Sequence, residues 1–453
     1  MANNKLSRRQ ISLSHDNFVD EIVELLMELT DAPIEFIEAG AYFIISSTLG
    51  GMFRLYPSVK GVRRPNYWAI LSSIPGAYRR STVINICREI VKRTWIKYLK
   101  KKLGITEDEA EKIVVNLFLE QGTFEGIIDH IETTEGNEFM IMSHEFGRIL
   151  EQITSRGKGA HYSGGADVLF SELYYGEEAI QDLSARGGGK QRRYLRPGIY
   201  ATCLASMQEL WLYARPIHIQ QGLLRRFHLI YVDESDRWLP PIREINEEEV
   251  IDYIADTLAS FRCKWEEQLE KNERLNDVII VMPDEVKERL NSIDKEAHMR
   301  ACSNPTLLNI YLQNEMEIVG RLAMLRCIGR AIAAFAPVVQ DEEVKLPTHL
   351  VLIPEDVEKA REFYRRTVEP LKDAFARLPL SFNPRSVGEE LRGYVLGIIR
   401  EYGPITKSEL ARRSRLPSWL LDAVVEELIR SGDIRMEKVV KGKGRPVILY
   451  KIA

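Results

Sequence analysis

The stretch from Asn66 to Thr82 offers, in order, the residue types that a nucleotide phosphate requires. An apolar run, Tyr67 to Leu71, enters a Pro75-Gly76 turn, and the turn feeds a basic and hydroxyl-bearing helix start, Arg79-Arg80-Ser81-Thr82. Main-chain N–H groups at a helix start point at an anion, and the helix dipole favours negative charge there. Against the phosphate-loop pattern G-x-x-x-x-G-K-[ST], Ile74 stands at the first glycine, Arg79 at the second and Arg80 at the lysine, while Ser81 fits unchanged. Pro75, Gly76, Arg79, Arg80, Ser81 and Thr82 are therefore the candidate nucleotide-binding residues.

Three further segments carry candidate chemistry. In Glu138–Gly147 an apolar strand ends in Ser143-His144-Glu145. A nucleoside triphosphatase places there one carboxylate that steers magnesium and one that polarises the attacking water. His144 occupies the metal-side position and Glu145 the base position, with Glu145 and Ser81 as candidate magnesium ligands. Histidine is a poor magnesium ligand, since magnesium prefers hard oxygens. The strand Ile199–Ser206 leads to Gln208, a side chain placed to sense a terminal phosphate. Arg225 and Arg226, just before the strand Phe227–Val232, suit a finger that stabilises charge on a transferring phosphoryl group. Each has a plainer reading as a solvated strand end, a loop amide or a structural ion pair.

These residues need a scaffold, and the chain is long enough to supply one. At 453 residues it should hold two to four domains, and 45% hydrophobic with 28% charged residues is ordinary for a globular protein. The net charge of −4 excludes a simple polycation, so nucleic-acid contacts must come from local patches. The five cysteines show no C-x-x-C spacing and read as small buried hydrophobes in a reducing compartment. Met1–Gln10 lacks the apolar core of a signal peptide, and Ala39–Leu49 is too short to span a bilayer. A cytoplasmic protein with no membrane contact is expected.

Residues 1–62 read as a helical lead, with Phe18, Ile22, Leu25, Leu26 and Leu29 at helix spacing. Residues 63–275 alternate strands and helices, as a parallel α/β sheet does. Residues 276–380 read as a helical domain, and no internal repeat is evident. The loop Arg186–Arg196, with Lys190, Arg192 and Arg193 beside Tyr194, mixes phosphate contacts with a stacking ring, as DNA binding requires.

From 385 to 453 the order is an amphipathic helix, a short helix capped by Thr406 with Glu409 in the capping-box position, a third helix from Ser418, and a hairpin. That order is a winged helix-turn-helix. The module carries 14 basic against nine acidic residues, an excess suited to DNA phosphates. Its third helix carries Asp422, Glu426 and Glu427, whereas Arg412, Arg413 and Arg415 lie in the turn and Lys441, Lys443 and Arg445 in the wing. Backbone contact fits this better than base readout, and docking of a protein is the competing use.

Taken in order, Asn66-Tyr67-Trp68, Pro75-Gly76, Arg79-Arg80-Ser81, His144-Glu145, Leu173–Glu177, Gln208 and Gly222–Phe227 resemble the virus- and plasmid-borne, primase-helicase-like family of degenerate P-loop proteins. The resemblance covers roughly residues 20 to 370. It implies a RecA-like P-loop core with ATP and Mg2+ as cofactors, and a DNA-dependent motor or helicase-like ATPase in the replication or maintenance of a mobile element. It also implies homo-oligomers, even a ring, in which Arg225 or Arg226 acts on the neighbouring subunit's nucleotide. Arg80 in place of lysine and His144 in place of aspartate depart from the pattern. The alternative they favour is a non-catalytic DNA-binding or scaffolding protein on the same fold; a transcription regulator acting through 385–453 is a third.

Overall fold

The computed structural model describes residues 15–59, 61–74, 78–119, 130–132, 136–155, 170–176, 179–184, 190–195, 198–214, 218–219, 222–235, 237, 246–272, 275–341, 343–377, 389–414, 418–439 and 447–453. They fall into two compact units: Met1–Leu210 with Ile219–Lys372, and Trp211–His218 with Asp373–Ala453.

The first unit is built on a parallel sheet. Its strands are β2 (Trp68–Ser73), β3 (Phe118–Leu119), β4 (Glu138–Ser143), β7 (Tyr200–Met207) and β8 (His228–Val232), in the spatial order β3-β4-β7-β2-β8. Every residue of β2, β7 and β8 is buried, which explains their mostly apolar sequences: a parallel sheet is covered on both faces. Ala69 pairs with both Leu204 of β7 and His228 of β8, so the strand entering the phosphate-loop-like turn is central. Two more strands, β5 (Ala179–Ser184) and β6 (Lys190–Leu195), form a separate antiparallel hairpin.

Helix α1 (Phe18–Leu29) packs on α2 (Ile34–Leu49), and α2 and α3 (Arg80–Leu103) pack on this sheet. Asn17 caps α1 by accepting from the Val19 N–H at 3.0 Å and donates to the Arg326 carbonyl at 2.9 Å, so the cap also ties α1 to a distant helix. Ser46 of α2 donates to the Pro65 carbonyl at 2.8 Å and accepts from the Tyr67 N–H at 2.9 Å, fixing the entry into β2. Along the other side of α3 runs α6 (Glu247–Glu270); α4 (Glu107–Val115) and α5 (Phe146–Ser155) lie between in sequence. Thr106 and Glu109 close a reciprocal capping box at the start of α4.

A second parallel sheet corrects the expected division into segments. Strands β1 (Phe53–Tyr56), β9 (Val278–Val281) and β10 (His349–Val351) pair in the order β1-β9-β10. The region 276–380 is therefore not all helical, and it shares a sheet with the 1–62 lead. The lead and the region up to Lys372 belong to the same compact unit as the core, apart from Trp211–His218. β9 and β10 each run into a proline and two acids that open a helix: Pro283-Asp284-Glu285 before α7 (Asp284–Ser303), and Pro354-Glu355-Asp356 at α9 (Pro354–Val368), with α8 (Glu315–Phe335) between them. The two segments share a strand–proline–helix order. Strands of three and four residues are too short to show an alternating period, which hid both strands in the sequence.

The second unit has α10 (Glu389–Tyr402), β11 (Ile405–Thr406), α11 (Lys407–Ser414), α12 (Ser418–Arg430), β12 (Ile434–Val439) and β13 (Val447–Ile452). The strands form an antiparallel sheet in the order β11-β13-β12. Val395, Ile399, Leu410, Leu421, Val424 and Leu428 form its own core. Thr406 accepts from the Glu409 N–H at 3.2 Å, the expected cap. Among the described residues no helix is long and apolar enough to cross a membrane.

Candidate nucleotide site

All five strands of the main sheet are parallel, so β2, β4, β7 and β8 end at one edge. Ligands of open α/β sheets bind outside that carboxyl edge, where successive connections diverge. From β2 the chain leaves toward edge strand β3, whereas β8 arrives on its other side.

Two residues at the end of the loop after β2 have an unusual backbone. Tyr78 (φ 64°) and Arg79 (φ 51°) are both left-handed, a conformation that glycine adopts freely and other residues only at a cost. Arg79 stands at the second glycine position of the phosphate-loop pattern. Strain of this kind is kept where surrounding structure enforces it. Here the Tyr78 hydroxyl donates to the Asp233 carbonyl beyond β8 at 2.7 Å, and Arg79 pairs with Asp31 at 3.2 Å. Pro75 and Gly76 lie outside the described residues.

Arg80 opens α3, and its first turn holds no acid. Positive charge at a helix N-terminus opposes the dipole and is relieved by an anion. The Arg80 guanidinium donates to the Ser73 carbonyl at 2.9 Å and to the Met207 carbonyl. Those carbonyls end β2 and β7, so the cation is pinned at the strand edge by neutral acceptors. Burial pulls its pKa below the ordinary arginine value. Ser81 is exposed and Thr82 half-buried in the same turn.

Glu145 follows β4. Its N–H donates to the Ser143 hydroxyl at 3.3 Å, and its carboxylate pairs with Arg148 at 2.6 Å. Both side chains are exposed, so this pair contributes little and can open. Ser206 donates to the His144 carbonyl at 3.0 Å, and Ser72 donates to the Gln208 carbonyl at 2.9 Å. These two bonds lock the ends of β4, β7 and β2 in register. One strand separates β2 from β4, which sets their ends about 10 Å apart. Gln208, at the end of the strand between them, is exposed.

Arg225 and Arg226 stand elsewhere. They precede β8, at the opposite end of the sheet, about 20 Å from the carboxyl edge. Arg225 donates to Gln313 at 3.1 Å; Arg226 donates to the Gly222 carbonyl and to Ser171, each at 2.6 Å. Within one chain they do not join Arg80, Ser81 and Glu145.

Among the other candidates, Lys190, Arg192 and Arg193 lie on β6 of the hairpin. In the second unit Arg412 and Arg413 both pair with Glu409, at 3.1 and 2.8 Å, and Arg413 covers the Tyr402 ring at 3.7 Å. Arg415, Lys441, Lys443 and Arg445 lie outside the described residues. Of the cysteines, Cys87, Cys203, Cys263 and Cys327 are buried, but Cys302 is exposed, against expectation.

Sequence reading missed Arg321 on α8. Only 2% exposed, it donates to the Tyr174 hydroxyl at 3.0 Å, the Arg64 carbonyl at 2.9 Å, the Gly61 carbonyl at 2.8 Å and the Asn66 side chain. It thereby fixes Asn66, two residues before β2. Asn66, Trp68 and Tyr174 form a structural cluster: Trp68 donates to the Ala201 carbonyl at 2.7 Å and packs edge-on against Tyr174 and Phe170. An arginine in an otherwise apolar helical stripe was the available signal. No protein-family model and no curated protein matches this chain.

Proposed function

We propose that this protein is a nucleotide-dependent DNA-binding ATPase, helicase-like, on a degenerate P-loop core of the RecA-like kind. The observation that carries this reading is the strand order. It brings the loop after β2, the acid after β4 and the amide after β7 to one edge, with Gln208 between the other two. In this reading Arg80 and the N–H groups opening α3 hold phosphates, Glu145 orients the attacking water, and Gln208 senses the terminal phosphate. Ser81 and Glu145 offer hard oxygen donors, which suit Mg2+; bound there, the ion would neutralise charge between phosphates. Arg225 or Arg226 would serve a neighbouring subunit, since neither reaches its own site.

Three helices and a three-stranded sheet in the order β11-β13-β12 support reading the second unit as a winged helix that contacts DNA backbone. A role in replication or maintenance of a mobile element follows from the family resemblance alone.

The test is ATP hydrolysis by the full chain, with and without single- and double-stranded DNA. DNA-stimulated turnover should fall about 100- to 1,000-fold in Glu145→Gln, in line with loss of a positioned base. Arg80→Ala should instead weaken nucleotide binding. A second reading, a non-catalytic scaffold, is favoured by the hold of two carbonyls on Arg80. It predicts DNA binding without turnover in the wild type.

A further inference from the structure

At the opposite end of the sheet lies a cavity of about 200 Å³, bordered by Arg54, Arg63, Arg64, Arg321, Tyr174 and Tyr175. Four of its lining residues are arginines, and among the described residues none is a carboxylate. Arg321 lies at its base. All four of its acceptors are uncharged, so its positive charge is solvated by dipoles and balanced by no ion pair among the described residues. A buried charge without a counter-ion is costly unless an anion completes the site. Glu317, one turn earlier on α8, receives the Tyr175 hydroxyl at 3.3 Å instead.

At the rim, Arg64 pairs with Asp277 at 3.1 Å, and Arg54 reaches the same carboxylate only at 3.9 Å. Arg63 is exposed and has no carboxylate partner among the described residues. Asp277 thus offsets one of the three rim charges. Gly176 forms part of the wall; at φ 66°, with room for no Cβ because the Ile199 carbonyl would lie 2.9 Å away, it leaves bare main chain facing the cavity.

We propose that this cavity binds a phosphate group of a single nucleic-acid strand. Its volume suits one hydrated tetrahedral oxyanion, water itself taking about 30 Å³. Arginine forks match phosphate oxygens. Tyr175 also lines a second hollow of about 270 Å³ that holds Arg225, Arg226 and Gln313, together with Asp294 and Glu317. Tyr175, half-buried, thus stands between the two hollows, where an aromatic face can take a base beside the bound phosphate. The site adds a strand contact to the proposed DNA-dependent function without requiring hydrolysis.

The experiment is fluorescence anisotropy of a labelled oligo-dT with the full chain, in the absence of nucleotide, over a salt series. Arg54→Glu/Arg63→Glu should weaken binding at least about tenfold, and the log–log salt slope should drop by about 0.7 for each phosphate that is no longer neutralised. Arg54→Glu brings a second carboxylate near Asp277 and can lower the melting temperature; Arg63→Glu alone, exposed and outside that pair, should match the wild-type melting temperature and still weaken binding. Unchanged affinity and slope would overturn the proposal. So would inorganic phosphate raising the melting temperature without displacing oligo-dT, which would assign the cavity to a free anion. Because no nucleotide is present, a failed ATPase assay leaves this result independent.

Discussion

Arg262→Met is expected to lower the folding stability by about 3 kcal/mol, because it strands a carboxylate that the fold has largely taken out of water. Arg262, on α6, is 4% exposed. It grips Glu138 with both terminal nitrogens, at 2.7 and 3.2 Å, donates to the Thr48 carbonyl at 2.6 Å and pairs with Glu266 at 3.3 Å. Its guanidinium lies over the Trp95 ring at 4.0 Å. Burial opposes its charge, but Glu138 and Glu266 outweigh this and hold its pKa above the ordinary value. Glu138 begins β4, the strand whose other end delivers Glu145, so the loss should also reduce any turnover at that edge. Urea denaturation measures the stability change. The companion variant is Arg262→Met/Glu138→Met: with no charge left to strand, it should recover much of the loss. A double variant no more stable than the single would refute the account.

The second large effect is a pH dependence centred on His228. This residue is fully buried in β8, and burial pushes its pKa down to about 3. Its tautomer is fixed by neighbours. The Thr367 hydroxyl donates to the Tyr364 carbonyl at 2.8 Å, so its oxygen accepts from His228 Nε2–H at 2.7 Å. Nδ1 must then accept from the Tyr67 hydroxyl at 2.8 Å. A proton on Nδ1 would set two donors against each other. The folded state therefore stays neutral while the unfolded chain protonates near pH 6.5. Below that pH the unfolded state binds the extra proton, so stability falls as pH drops from about 6.5 toward 3. The expected contribution between pH 7 and pH 3.5 is about 3–4 kcal/mol. His228→Asn cannot titrate. The stability gap between it and wild type should close by that amount over the same range; a constant gap would show that His228 does not couple to protons.

The four main strands of the central sheet were legible because a parallel strand buried on both faces is written as a mostly apolar run. The helices of the second unit were legible through caps and glycines such as Gly403, which ends α10 at φ 71°. The position of polar residues just beyond β2, β4 and β7 was legible too, since each follows an apolar run. Tertiary structure alone decided which strand ends meet. Local sequence carries no record that β7 sits between β2 and β4, nor that β8 lies across β2, because pairing order depends on how the connecting helices pack. It also decided that Arg225 and Arg226 point away from their own loop: strand polarity places everything before β8 at the far edge. The sheet joining β1, β9 and β10 draws on segments some 220 and 70 residues apart, each too short for periodicity to show. The charge of Arg321 makes the same point: its acceptors, on Gly61, Arg64, Asn66 and Tyr174, are all remote from α8 in sequence, and only folding brings them to one guanidinium.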